Sequence, residues 1–176
     1  IHQDLGFDAR GIVSGRIHLP VQDYDHDAKE SFKSQLLERL KALPGVESAG
    51  AASMIPSYGY PDRPVAIQSR ANDVSTNLRR SYFCNISPGY LETMGISLVE
   101  GRGFDAFDEA GWQDPVIVDA RFAELHFPGE SAVGQRIRLG GPPGNPNNWQ
   151  VIVGVAETAM HTAIDEENAL PLVYLP

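Results

Sequence analysis

The chain predicts an α+β fold, mixed short strands with about three helices, and three observations carry that prediction. Apolar runs such as Val116 to Val118 and Val151 to Val155 are β-branched and too short for helices. Three other stretches carry a capping residue or apolar side chains at helical spacing. Pro44-Gly45, Gly101-Arg102-Gly103 and Pro128-Gly129 cut the chain into short elements, with no repeat and no low-complexity tract.

Taken in order, Gly11 to Leu19 alternates Ile12, Ser14, Arg16 and His18 against Val13, Gly15, Ile17 and Leu19, which predicts a half-buried strand ended by Pro20. Asp27 and Glu30 form an approximate capping box. The helix after them carries Phe32, Leu36, Leu40 and Leu43 on one stripe, stops at Pro44-Gly45, and is expected to cover one sheet face. Val46 to Ile55 is small and apolar and predicts a second strand, completing a β-α-β unit. Ser57 to Arg63 is turn chemistry, Pro64 to Gln68 a short strand, Ala71 to Asn77 a polar loop, and Leu78 to Ile86 another strand.

Ser87 is placed to cap a short helix, with Pro88 at its first position and Gly95 as the left-handed residue past its end. Ile96, Leu98 and Val99 then predict a strand stopped at Gly101, and Phe104 to Asp114 reads as a solvated acidic loop. After the strand at Val116 to Val118, Asp119 caps a helix holding Phe122, Ala123 and Leu125. Ile137 and Leu139 mark a strand, Gly140 to Asn148 an exposed hairpin tip, and Gln150 to Val155 a buried strand. Thr158 to Asn168 is a polar connection to a last strand at Leu172 to Leu175.

Composition narrows the function classes. A chain of this length hides roughly 70% of its unfolded surface, enough for a real core. The apolar fraction of 42% with 21% charged residues is ordinary for a globular protein. The formal net charge is -9, and no basic cluster longer than Arg79-Arg80 occurs, which disfavours nucleic acid and anionic membrane surfaces as partners. Cys84 is the only cysteine, so no internal disulfide exists, and with no neighbouring cation it is expected to be a buried, inert thiol. No run approaches the ~20 apolar residues that cross a bilayer.

No constellation advertises catalysis, a cofactor or a metal. Gly101 to Ala106 matches G-x-G-x-x-A after a strand, but Asp105, Asp108 and Glu109 would repel a pyrophosphate, so a structural turn is the reading. The same carboxylates lack the spacing of a calcium loop. His2, His18, His26, His126 and His161 are scattered without zinc-ligand spacing. There is no G-x-S-x-G elbow, no Walker A sequence, and no pair of carboxylates singled out for glycoside hydrolysis. Asn85-Ile86-Ser87 matches a glycosylation acceptor by chance spacing. Tyr58 and Tyr60 around Gly59, and Trp149 after the proline-rich tip, are loop aromatics that suggest a partner-facing surface.

A second kind of reading comes from seven short motifs in order: D-L-G-F-D at Asp4, L-P-G-V at Leu43, P-G-Y-x-x-x-M-G-I at Pro88, G-R-G-F at Gly101, F-P-G-E-x-A-V-G-x-x-I at Phe127, V-I-V-G-V at Val151 and V-Y-L-P at Val173. In this set the chain resembles the MacB-like periplasmic core domain of FtsX-type ABC transporter permeases. Asp119-Ala120 stands where many relatives have Asn-Glu, and Asp caps a helix as well as Asn does. The resemblance implies a porter-like β-α-β subdomain from residues 1–85 and 162–176, with a sabre-like subdomain of residues 86–161 inserted in it. It places transmembrane helices just outside both ends, on a bacterial inner-membrane protein whose core domain faces the periplasmic or extracellular side. It further implies ATP hydrolysis on a separate cytoplasmic ATPase, a permease dimer, and a periplasmic adaptor as a further partner. The function so implied is coupling of ATP-driven helix motion to export or mechanotransmission. The alternatives are a substrate- or peptide-binding module of an exporter, and a free-standing soluble enzyme.

Overall fold

The computed structural model describes residues 7–8, 10–20, 22, 24–54, 60–70, 79–105, 107–108, 114–140, 149–159 and 169–176. Within them the chain forms three α-helices and seven strands, the mixed α+β architecture that the sequence predicts. The helices are α1 (His26–Lys41), α2 (Tyr90–Thr93) and α3 (Ala120–His126). The strands are β1 (Asp62–Ile67), β2 (Arg80–Asn85), β3 (Leu98–Gly101), β4 (Pro115–Asp119), β5 (Arg136–Leu139), β6 (Gln150–Ala156) and β7 (Leu172–Leu175).

All seven strands share one sheet, in the order β3-β6-β4-β7-β2-β1-β5, and β5 pairs again with β6. That last ladder closes six strands into a ring and leaves β3 hanging from the other half of β6. β4 runs parallel to β6 and β2 parallel to β7, while every other neighbouring pair is antiparallel. The expected boundary between residues 85 and 86 meets no gap in the sheet, because the β1–β5 and β4–β7 ladders cross it.

Alternation along the central strands divides the core in two. Val116, Val118, Val173, Ile152 and Ile137 pack together with Phe122 from α3. Ile117, Tyr174 and Cys84 face the other way, onto Tyr90, Leu91, Met94 and Ile96. Every residue of β4 is buried, as its continuous apolar run predicts for a strand covered on both faces. Burying one such Val or Ile contributes about 1.5–3 kcal/mol. Cys84 lies within this core as expected, and burial pushes its thiol up.

Several local expectations hold. Asp119 caps α3, its carboxylate accepting from the Phe122 amide at 2.8 Å. Gly95 sits just past α2 with φ 66°. Others do not hold. Gly11 to Leu19 forms no strand: among the described residues it joins no ladder, and Val13 and Ile17 are exposed. Alternation marks a strand only where a partner supplies the second row of hydrogen bonds. The cap of α1 is Asp25, bonded to the Ala28 amide at 2.8 Å, and not Asp27. No residue of α1 is buried, so the helix does not cover a sheet face. The ring's interior holds its own side chains and Phe122 of α3, and residues 86–96, rather than α1, pack on its other face.

Of the segment predicted as a strand from Val46 to Ile55, the described residues 46–54 enter no ladder of the sheet and contribute one isolated bridge between Ala52 and Ile86. A Cβ at Gly50 would lie 2.6 Å from the Tyr90 Cα, so this segment crosses α2 backbone-to-backbone instead of lying alongside a strand. The Ser87 hydroxyl, predicted as a helix cap, accepts from the Ala51 amide at 2.9 Å. The helix is capped at Gly89, without a side-chain bond. The polar loop at 71–77, the hairpin tip at 141–148 and residues 160–168 of the polar connection lie outside the described residues.

Candidate functional site

Of the three aromatic residues singled out from sequence, two lie within the described residues. Tyr58 lies outside the described residues. Tyr60 is buried, and its ring packs 6.2 Å from that of Tyr82, so it belongs to the core and not to a loop surface. Trp149 is half-buried, with the Arg138 guanidinium 4.7 Å from its ring centre. Such stacking of a cation on an indole stabilises by about 0.5–1 kcal/mol near the surface.

The concave surface lies elsewhere, around residues 85–96. A cleft of about 460 Å³ separates the start of α1 (His26, Glu30 and Lys33) from Ser53, Asn85, Ser87 and Pro176, with Asp108 and Asp114 on its wall. Lys33 and Glu30 pair across one turn of α1. Ser53 ties the floor together, donating its amide to the Asn85 carbonyl at 2.8 Å and accepting from the Asn85 amide at 3.0 Å. A smaller hollow of about 320 Å³ adjoins it through Ile86 and Ser87, lined by Leu91, Ile96, Leu98 and Phe104, with Glu92 as its charged member. Neither Tyr60 nor Trp149 lines either hollow.

Asp8 and the strand-end residues Leu175 and Pro176 are bonded beside these hollows. The Asp8 amide donates to the Met94 carbonyl at 3.1 Å, at the end of α2. At the other end Ile86 donates to the Leu175 carbonyl at 2.8 Å, and the Asn85 side-chain amide donates to the Pro176 carbonyl at 3.2 Å. Arg10 folds back onto Asp8 through two nitrogens and holds that carboxyl down to about 2.

The G-R-G motif is a built turn. Gly101 faces Gly154 across the β3–β6 ladder. A Cβ on Gly101 would overlap the Val153 carbonyl oxygen, and a Cβ on Gly154 would overlap that of Arg102. Two strands therefore touch through their backbones, which explains glycine in both the G-R-G-F and V-I-V-G-V motifs. Arg102 then grips Asp108 with both terminal nitrogens, at 2.5 and 2.9 Å. The Arg102 guanidinium lowers the Asp108 carboxyl below its usual range, and Asp108 raises Arg102 in turn. Asp108 also accepts from the Asp105 amide at 2.9 Å, and Asp105 from the Phe107 amide at 2.8 Å.

Asp108 departs from the expectation of a solvated acidic segment, being buried and paired with Arg102 just ahead of the loop, whereas Asp105 stays half-exposed. The signal was in the sequence, an arginine between two glycines with an aspartate six residues on. The loop also displays Phe107, which is 82% exposed. Sequence reasoning missed Phe107 and the exposed pair Leu98 and Val99, since apolar residues beside a strand read as core.

Burial raises Asp119 to about 7, against the hydrogen bonds that favour its charged form. Burial likewise raises the hydroxyls of Tyr60, Tyr90 and Tyr174. Among the described residues no group of three or more His, Cys, Asp or Glu is placed to hold a metal ion, and no helix is long and apolar enough to cross a membrane.

Comparison with solved structures gives the periplasmic region of MacB from Actinobacillus actinomycetemcomitans, at TM-score 0.52 and 14% identity, covering 82% of this chain and 54% of that one. It also gives the extracellular domain of the noncanonic ABC-type transporter YknZ from Gram-positive bacteria, at TM-score 0.50 and 18% identity, covering 82% of this chain and 62% of that one. The chain thus spans between half and two thirds of each of these structures, and the likeness is one of fold. No curated protein matches it in sequence. The family model described as the MacB-like periplasmic core domain matches residues 6–176, and the chain therefore belongs to that family.

Proposed function

We propose that this domain couples ATP-driven motion of membrane helices to export or mechanotransmission on the extracytoplasmic side of a bacterial inner membrane. The helices that drive it belong to the same permease, ATP is hydrolysed by a separate cytoplasmic ATPase, and two permease subunits work as a dimer with a periplasmic adaptor as a further partner. One observation carries this reading: Asp8 near one end of the described chain, and Leu175 and Pro176 at the other, are hydrogen-bonded onto the single stretch 85–96. A displacement delivered through either end then reaches the same short segment, which is itself pinned to β7 and to the Ala51–Ser53 edge. Two packed ends on one rigid patch suit a body that is moved as a whole. In this proposal residues 1–85 with 162–176, and residues 86–161, are the porter-like and sabre-like parts.

The test places one spin label per subunit at the exposed α3 position, Glu124→Cys, in the reconstituted permease with its ATPase. Cys84 is buried and stays unlabelled. Coupling predicts that the distance between the two subunits' labels changes by more than about 5 Å between nucleotide-free and ATP-bound states, the scale of discrete rigid-body transitions. An unchanged distance distribution would remove the proposal.

A further inference from the structure

β3 is the one strand of the sheet whose outer side has no strand partner among the described residues, because closure through β5 and β6 uses up the other edge. All its residues are exposed, Val99 to 61% and Leu98 to 40%. Natural proteins cover, charge or distort such edges, since an unpaired row of N–H and C=O groups is a template for another strand. Here a bulge between Leu98 and Glu100 limits the template to a few residues but does not hide it. Leu98 also lines the apolar hollow with Leu91, Ile96 and Phe104, so the edge lies beside a place for an apolar side chain. The loop that leaves β3 is braced by the Arg102–Asp108 pair and holds Phe107 out to solvent.

Among the described residues, carboxylates predominate around this edge. Glu92 lines the hollow, Glu100 is in β3, Asp105 is half-exposed in the next loop, and Glu157 donates its amide to the Ser97 carbonyl at the start of the ladder. Arg102 is the cation of this region and is committed to Asp108. A second copy of a chain with net charge -9 would bring like charges together at such an edge.

We infer that the β3 edge and its apolar hollow form a docking site for an extended peptide segment of a partner protein, apolar on one face and carrying lysine or arginine on the other. The segment adds a strand to β3, its main chain supplying affinity and an apolar side chain filling the hollow. Its cations meet Glu92, Glu100 and Glu157. This inference is independent of the coupling proposal, because it is read on the 176-residue chain without membrane or nucleotide.

The test is fluorescence anisotropy with a labelled hexapeptide of alternating lysine and valine, and an alternating glutamate–valine peptide as its counterpart. The lysine peptide is expected to bind with a Kd on the order of 10–100 μM, and the glutamate peptide at least about tenfold more weakly. Val99→Lys, at an exposed position, places a repelling charge on the edge and weakens the lysine peptide about tenfold. Amide shifts of Leu98 to Gly101 on titration are the second readout, which needs no variant. Absence of saturable binding, equal binding of the two peptides, or an affinity untouched by Val99→Lys in a folded variant each overturns the inference. So does a dimer that Val99→Lys dissolves, which would assign the edge to a second copy of the chain.

Discussion

At the scale of single residues, Asp119 carries two roles that pull against each other. As the cap of α3 its carboxylate accepts the Phe122 amide, and at 3% exposure it is almost fully out of water. Burial wins and raises it to about 7, whereas in the unfolded chain it titrates near 3.9. Between those values the native state keeps a proton that the unfolded state has shed. Stability from this group is therefore complete below about pH 4 and is lost as pH climbs through about 7. Asparagine caps equally well and does not ionise. Asp119→Asn is thus expected to gain about 2–4 kcal/mol relative to the native chain between pH 4 and pH 8. Urea denaturation at a series of pH values measures it, and parallel stability curves for the two proteins would contradict the assignment.

At the scale of elements, legibility followed locality. The cap at Asp119 and the left-handed Gly95 are decided by neighbours in sequence, and each was readable there. Gly11 to Leu19 and Val46 to Ile55 have strand-like composition, but a strand exists only with a partner, and no sequence pattern reports that α2 crosses Gly50 instead. Tyr60 read as a loop aromatic because turn residues surround it, while its ring is claimed by a distant Tyr82. α1 is the sharpest case. Its sixteen residues have caps and helical spacing, yet none is fully buried and only one stripe, including Phe32 and Leu36, is half-buried, so packing holds it weakly. Hydrogen exchange is expected to find α1 amides protected at least about 100-fold less than those of β4 and β6. Equal protection would mean that a covering surface stabilises the helix.

At the scale of the whole molecule, the division into parts and the continuity of the sheet meet head on. Residues 62–85 and 172–175 supply β1, β2 and β7, and residues 98–156 supply the other four strands. The ladders between β1 and β5 and between β4 and β7 join these sets twice, at both sides of the ring. The two proposed parts are therefore expected to unfold together, in one transition that far-UV circular dichroism and tryptophan fluorescence report at the same urea concentration. Two separated transitions would show that each part holds a core of its own.

The place of β7 in that ring has a mechanical meaning. It lies between β2 and β4, parallel to one and antiparallel to the other, and the chain runs directly from it to Pro176. Tension applied to Pro176 along the strand loads both ladders at once and must shear them in a single step. The same tension applied across the strand would peel them apart one hydrogen bond after another. Four residues thereby make the attachment of Pro176 stiff in one direction and compliant in the other.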